Sequence, residues 1–253
     1  MPEAATDRRG NEMRPIRIQK AEKNKKQGNR GWIYLLAFLF PVLIFTLGFA
    51  FKGVYPFGEN SALVVDGVHQ YTAFYRELSE QLGKGMDWIW SAHAMGYNFY
   101  GLFCYYLCSP FSFLVLLFMK FMYVNEAVTA VILIKAGLCS VSMAWYSGKK
   151  YPGRGSMAVS LGCMYALSNF LIGYYSNVMW LDCIMLLPVL AYLIEQLVHT
   201  GKWRGYCLVL GYCILTSYYM GFMRCTFAAF YYLAELAVAG SGRRPEKIRF
   251  SLL

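Results

Sequence analysis

Residues 102–119 read LFCYYLCSPFSFLVLLFM, an apolar run with Ser109-Pro110 near its centre. The run is nearly long enough to cross a bilayer, since a helix needs about 20 residues for about 30 Å of hydrocarbon. The alternative is a re-entrant or interfacial hairpin that folds back around Ser109-Pro110. The choice decides the fold, because it sets the side of the membrane on which every later connector lies.

Six further apolar runs lie outside this stretch, at residues 32–51, 127–146, 156–175, 181–198, 206–220 and 221–239. The first is too long for the core of a signal peptide, and no small-residue cleavage site follows it. Hydrophobic residues make up 58% of the chain and charged residues 15%, whereas about a quarter of a soluble domain is charged. We therefore predict an all-α polytopic membrane protein with six transmembrane helices.

The positions of Lys and Arg favour the hairpin over the crossing. With a hairpin at 102–119, 18 of the 24 Lys and Arg residues lie on the cytoplasmic side and four lie outside. With a crossing, 10 lie inside and 12 outside. Cytoplasmic loops carry an excess of Lys and Arg, so we predict the hairpin. The net charge of +10 does not indicate nucleic-acid binding, because the cations form short blocks between apolar runs.

Three segments follow from this topology. Residues 1–31 are predicted to be a disordered basic cytoplasmic tail, residues 32–240 the transmembrane domain, and residues 241–253 a cytoplasmic basic connector. The first outer loop covers residues 52–101. Apolar residues recur there at helical spacing and predict an amphipathic interfacial helix, namely Tyr71, Phe74, Tyr75, Leu78 and Leu82.

Two acids are candidates for a site at the outer face. Asp66 lies in the outer loop just before the amphipathic helix, where it could be a helix cap or a functional acid. Asp182 lies at the start of the run 181–198, where an unpaired carboxylate is costly. The hairpin topology places both acids on the same side of the membrane, so we expect them to share one site.

Two cations fall within apolar runs. Lys135 is near the middle of its run, and we predict either a bound phosphate or an internal ion pair as its partner. Arg224 lies about one turn from the outer end of its helix, from which its side chain can reach the headgroups. The eight cysteines form no metal-binding pattern and are interpreted as small buried hydrophobes, with Cys104 and Cys108 the one pair able to oxidise.

Taken as an ordered set, several segments resemble the YfhO-type bacterial membrane proteins, which are related to the GT-C class of glycosyltransferases. The segments are Asp66 with Gln70-Tyr71, Tyr105-Tyr106 followed by Ser109-Pro110-Phe111, and the stretches 133–137 (LIKAG), 177–182 (NVMWLD) with Leu187-Pro188, and 217–223 (SYYMGFM). The resemblance covers about residues 32–240. Family members are longer, so the chain resembles their N-terminal portion.

The resemblance implies an enzyme that moves a sugar from a polyprenyl-phosphate carrier to an extracytoplasmic polymer of the teichoic or lipoteichoic acid type. It implies a bacterial plasma-membrane location, with the N-terminus in the cytoplasm and the site facing outward. Asp66 would be the general base and Asp182 a second catalytic acid. The substrate-binding residues would be His69, Gln70, Tyr71, Lys135, Asn177, Trp180, Tyr218, Tyr219 and Arg224.

We expect no cofactor, because the sequence contains no metal-ligand cluster; a divalent cation held by Asp182 is the alternative. The main alternative function is a lipid-linked-sugar flippase or other transporter that uses Lys135 and Arg224 as an anion path. A non-catalytic membrane protein of envelope assembly is a third hypothesis.

Overall fold

The computed structural model describes residues 31–85, 88–90 and 96–240, and within these ranges it contains helices and no strands. The basic tail and the C-terminal connector predicted from the sequence lie outside the described residues. Helix α1 covers Gly31–Phe51. A π-helical turn, Gly67–Tyr71, leads directly into α2, Thr72–Lys84. The amphipathic helix is therefore present, and it buries Tyr71, Tyr75 and Leu78.

The apolar run at residues 102–119 belongs to two helices with a sharp bend between them. Helix α3, Phe99–Leu102, continues as a second π-helical turn, Phe103–Leu107, and α4 covers Pro110–Phe118. The two halves meet at 94°. Ser109 caps α4 by accepting a hydrogen bond from the Phe111 backbone, and Pro110 occupies the first turn, where its missing N–H costs nothing. The break therefore has a local cause at Ser109-Pro110.

The remaining helices are α5, Val124–Lys150; α6, Gly155–Ala166; α7, Asn169–Tyr174; α8, Val178–Thr200; α9, Arg204–Thr216; and α10, Tyr218–Gly240. Five segments of the described chain are long and apolar enough to cross a membrane: α1, α5, α6 with α7, α8, and α10. The run 206–220, predicted as a sixth crossing, forms α9, which is shorter than the other five segments. It ends early because Ser217 is extended, with φ −163° and ψ 106°.

Contacts at the two ends of α1 show that α1 and α5 run in opposite directions. The start of α1, at Trp32 and Ile33, lies beside the α5–α6 connector, where Ile33 touches Gly155. The end of α1, at Phe45 and Phe49, packs on Tyr175. The bent pair α3–α4 therefore brings the chain back to the end of the bundle that it left. We call the end with Tyr175 and the 52–98 segment the loop end, and the opposite end the basic end.

Helix α5 is the centre of the bundle and packs against α1, α6 and α8. Close approach is possible because Gly137 of α5 faces the Phe38 ring and Gly162 of α6 faces the Ser140 backbone. At the basic end, Glu195 of α8 ties α5 and α10 to α8. Its carboxylate is 2.6 Å from Lys150 Nζ and accepts hydrogen bonds from the Tyr146 and Tyr231 hydroxyls, at 2.9 and 2.8 Å. This network closes the end of the bundle opposite the two candidate acids.

Candidate functional site

The two π-helical turns meet at the loop end and form an aromatic layer, defined here as Tyr71, Phe74, Tyr105, Tyr106 and Tyr218. Tyr106 meets Tyr71 edge-on at 5.7 Å between ring centroids and lies 4.8 Å from Phe74. Tyr105 lies 5.3 Å from Tyr218, which extends the layer to α10. Isolated π-helical turns are rare and frequently occur at functional sites. Their convergence marks this layer as the candidate site.

Asp66 lies at the edge of the aromatic layer, immediately before the first π-helical turn. Its side chain is exposed and makes no capping hydrogen bond, so the structure lacks the bond that a helix-cap role requires. The preceding residue, Val65, has φ +47°, a left-handed conformation that β-branched residues rarely adopt. Backbone strain of this kind clusters at functional sites. The strained turn therefore presents a carboxylate that is free to act.

Tyr71 connects Asp66 to the interior. Its ring is 1% exposed, and its hydroxyl is buried close to the Met179 backbone. Burial raises the pKa of the Tyr71 hydroxyl well above its ordinary value, and the neighbouring Tyr75 and the Asp66 carboxylate raise the pKa further. Asp66 also acts electrostatically on Tyr106. Tyr71 therefore stays protonated and can only donate or accept a hydrogen bond.

Asp182 and Lys135 form a buried ion pair beneath this layer. Lys135 Nζ lies 2.6 Å from Asp182 Oδ2, and the side chains are 1% and 0% exposed. The ammonium also donates to the Val178 carbonyl oxygen at 3.0 Å and lies 4.9 Å from the Phe111 ring centroid. Tyr212 donates to the second carboxylate oxygen, Oδ1, at 3.2 Å. Of the two partners predicted for Lys135, the structure thus contains the internal ion pair.

The two candidate acids lie at the same end of the bundle but in different surroundings. Asp182 follows Val178, the first residue of α8, by four residues, which is about 6 Å along the helix axis. Its side chain is fully buried. Tyr75 of α2 is buried next to Ser112. Burial raises the pKa of Tyr75, and the negative charge of Asp182 raises it further. Asp66 faces solvent, so the two carboxylates do not form a directly shared acid pair.

Arg224 of α10 is a buried cation without a carboxylate partner in the described part of the chain. Its side chain is 6% exposed, and Nη1 has no hydrogen-bond partner. The guanidinium lies near the Tyr165 hydroxyl and near the thiols of Cys139, Cys183 and Cys213. The predicted extension to the headgroups is wrong, because the side chain is directed into the bundle. With Lys135 and Asp182 neutralising each other, Arg224 gives this region its positive charge.

The other predicted binding residues lie in three different surroundings. Tyr218 belongs to the aromatic layer, whereas Trp180 lies between Tyr174 and Tyr219, with centroid distances of 5.4 and 6.1 Å. His69 is exposed, and Gln70 and Asn177 are half-buried. Sequence reasoning missed Val65 and Tyr212. A strained φ leaves no trace in composition, and a tyrosine in an apolar run resembles the many interfacial tyrosines of this chain.

Within the described ranges, no group of three or more His, Cys, Asp or Glu side chains could hold a metal ion. All eight cysteines, Cys104 and Cys108 among them, are free thiols. At the loop end, the ionisable groups that the structure brings together include the Lys135–Asp182 pair with Tyr212, and Arg224 near them. This arrangement suits charge stabilisation within the membrane.

Comparison with known protein families matches residues 37–251 to the family described as bacterial membrane protein YfhO. Comparisons with curated proteins and with solved structures give no significant match. The matched region covers most of the chain and contains every residue of the candidate site. Its multiple apolar crossings agree with the family description. The chain therefore belongs to the YfhO family of bacterial membrane proteins.

Proposed function

We propose that this protein is a membrane glycosyltransferase that moves a sugar from a polyprenyl-phosphate donor to an extracytoplasmic envelope polymer of the teichoic or lipoteichoic acid type. The observation that carries the proposal is the free carboxylate of Asp66, held on a strained turn at the edge of the aromatic layer. Sugars stack readily on aromatic rings, and the reaction needs a base that can reach solvent. Family membership supports a bacterial membrane location. The loop end would face outward and the basic end the cytoplasm.

Asp66 is the proposed general base. Its carboxylate would accept the proton of the acceptor hydroxyl while that oxygen attacks the anomeric carbon, and the bond to the carrier's phosphate breaks with inversion. The exposed position of Asp66 suits an acceptor that arrives from the aqueous side. Tyr218, which is exposed, would provide an aromatic face for a sugar, and the buried Tyr71 would support the layer from within, with His69 and Gln70 at its rim.

The departing phosphate carries negative charge that must be balanced. Because Lys135 is already paired with Asp182, Arg224 is the cation available for this role. Asp182 then acts by holding Lys135 and Tyr212 in place, and not as a second acid in direct contact with substrate. Both carboxylate oxygens of Asp182 are engaged in this way, so we keep the expectation of a reaction without a bound cation.

The first test is Asp66→Asn, which keeps the size of the side chain and removes its basicity. Loss of a general base costs about 10²–10⁴-fold in rate, so transfer of labelled sugar to the envelope polymer should collapse. Glu59→Gln is the matched control, because Glu59 is an exposed carboxylate in the same loop. Both variants should reach the membrane at the level of the unmodified protein. Transfer at the unmodified rate in Asp66→Asn would exclude Asp66 as the base.

A second measurement separates the transferase from a flippase. The purified protein is reconstituted in vesicles with a labelled polyprenyl-phosphate sugar, with and without acceptor polymer. A transferase yields labelled polymer only when acceptor is present. Movement of the donor between leaflets without labelled polymer would favour the transport alternative, and neither activity would favour a non-catalytic role in envelope assembly.

A further inference from the structure

A groove separate from the candidate site runs along the outer half of α1. One stripe of α1 forms its floor, because Ile44, Gly48 and Lys52 are spaced four residues apart and lie on one face of the helix. Ile172 and Tyr175 form the opposite wall. The 52–64 segment covers the groove toward the loop end, where the Tyr175 hydroxyl donates to the Ala62 carbonyl at 2.7 Å.

The groove has the size and polarity of a hydrocarbon site. Its volume is about 390 Å³, more than twice the roughly 150 Å³ of an apolar cavity that takes up benzene. The space above Gly48 in the floor of the groove is empty, since a Cβ added there would meet no atom within 4 Å. Ile44 and Ile172 are each 47% exposed, so the groove opens sideways into the surrounding lipid. A long segment of one lipid chain therefore fits from the bilayer.

The mouth of the groove carries one positive charge. Lys52 is the only charged residue of the lining, is exposed, and forms no ion pair with a described residue. Asn60 fixes the backbone at this point, because its side-chain amide donates to the Lys52 carbonyl oxygen at 2.9 Å. An apolar channel that ends in an ammonium at the membrane surface complements a lipid with a negatively charged phosphate headgroup.

We propose that this groove binds an anionic diacyl phospholipid of the surrounding leaflet, with one acyl chain on Gly48 and its phosphate at Lys52. The lining shares no residue with the buried Lys135–Asp182 pair or with Arg224. The occupant is therefore a second lipid, distinct from the donor, and the site does not depend on the proposed glycosyl transfer. Only 17% of the residues in the apolar part of α1 are buried in the protein. An acyl chain held in the groove would fill the space between α1 and α7 and stabilise their packing.

Photo-crosslinking tests the proposal. The full chain is placed in nanodiscs of phosphatidylcholine that contain a minor amount of phosphatidylglycerol with a photoreactive acyl chain, and crosslinked peptides are identified by mass spectrometry. In the unmodified protein, crosslinks should concentrate on α1 and α7 near Ile44 and Ile172. Gly48→Leu fills the groove and should abolish them. Gly173→Leu, which adds the same volume beside the groove, should leave them unchanged.

The headgroup contact is tested by Lys52→Gln, which leaves the groove empty and the backbone intact. Preference for photoreactive phosphatidylglycerol over photoreactive phosphatidylcholine should fall about fivefold, the equivalent of about 1 kcal/mol for one cation at the surface. Lys120→Gln removes another exposed cation of the loop end and should not change the preference. The Lys52→Gln measurement tests the proposal even if Gly48→Leu does not fold.

Three results would overturn the proposal. Equal crosslinking in folded Gly48→Leu and in the unmodified protein would show that the chain does not lie in the groove. Competition by a polyprenyl phosphate, but not by phosphatidylglycerol, would give the groove to the donor instead. Competition by free glycerol phosphate would show recognition of the headgroup without the chain.

Discussion

At the scale of single residues, Asp182 determines whether the charge in the bundle core can be tolerated. A lysine near the centre of a span costs about 2.5–3.5 kcal/mol on insertion scales. Asp182 offsets this cost because its carboxylate lies 2.6 Å from the ammonium, and Tyr212 and the Val178 carbonyl occupy further hydrogen-bonding positions. Removing one member of such a pair leaves the other buried and uncompensated.

Lys135→Met should therefore destabilise the protein by about 3–5 kcal/mol, the usual cost of breaking a buried ion pair. Thermal unfolding of the purified protein measures this. Lys149→Met is the control, because Lys149 is an exposed cation on the same helix. Lys135→Met/Asp182→Leu should recover much of the loss, since neither charge remains. Unchanged stability together with weaker binding of polyprenyl-phosphate donor would instead support the phosphate role of Lys135.

The strained conformation of Val65 makes a separate prediction. Val65 is 73% exposed and has φ +47°, so its side chain contributes little packing while its backbone is strained. Val65→Gly removes strain of about 1–3 kcal/mol and adds some chain entropy to the unfolded state. We expect a net stabilisation of about 1 kcal/mol by thermal unfolding. Val64→Gly, at a neighbouring exposed valine without positive φ, should destabilise the protein. If both variants changed the free energy of unfolding in the same direction, the strain at Val65 would be contradicted.

At the scale of helices, the bundle depends on close approach of α5 to its neighbours. A Cβ on Gly162 would come within 2.6 Å of the Ser140 carbonyl oxygen, a backbone atom that cannot move aside cheaply. Gly162→Ala should therefore cost about 1–3 kcal/mol, as overpacking usually does. Gly148→Ala on α5 has no neighbour within 4 Å and should be neutral or slightly stabilising. Equal unfolding temperatures for the two variants would refute this close contact.

The helical elements also show what the sequence could and could not predict. The bend at Ser109-Pro110 was predictable, because charge bias required a return and the proline offers a break. The end of α9 was predicted at residue 220, four residues too late, because residues 206–239 are mostly apolar and Ser217 gives no strong turn signal within them. The π-helical turn at Gly67–Tyr71 was also not predictable, and it begins at a glycine that packs against Ser176, a residue distant in the sequence.

At the scale of the whole molecule, the sequence predicted the end of the bundle at which the candidate residues gather, but not their depth. Charge bias placed Asp66 and Asp182 at one end, which the antiparallel α1 and α5 agree with. It did not reveal that Tyr71 and Tyr75 would be buried inside the protein, because both tyrosines belong to an amphipathic face expected to lie on lipid. The burial of a candidate residue depends on which helices pack over it, and this packing is a property of the tertiary structure.

The orientation of the whole bundle gives the last prediction. The basic end carries Lys149, Lys150 and Arg154, and positive-inside bias places it in the cytoplasm. Lys149→Cys and Thr200→Cys are exposed positions at that end, whereas Glu59→Cys is exposed at the loop end. In intact cells, a membrane-impermeant thiol reagent should label only Glu59→Cys above the background of the unmodified chain. All three should be labelled after the membrane is opened.

Each labelling outcome distinguishes one arrangement from another. Labelling of Lys149→Cys and Thr200→Cys from outside, with Glu59→Cys protected, would invert the protein and place Asp66 in the cytoplasm, away from any envelope polymer. Labelling of all three from outside would require α3–α4 to cross the membrane, against the antiparallel packing of α1 and α5. With Glu59→Cys alone accessible, Asp66 and the aromatic layer face the side on which a lipid-linked sugar would meet an extracytoplasmic acceptor.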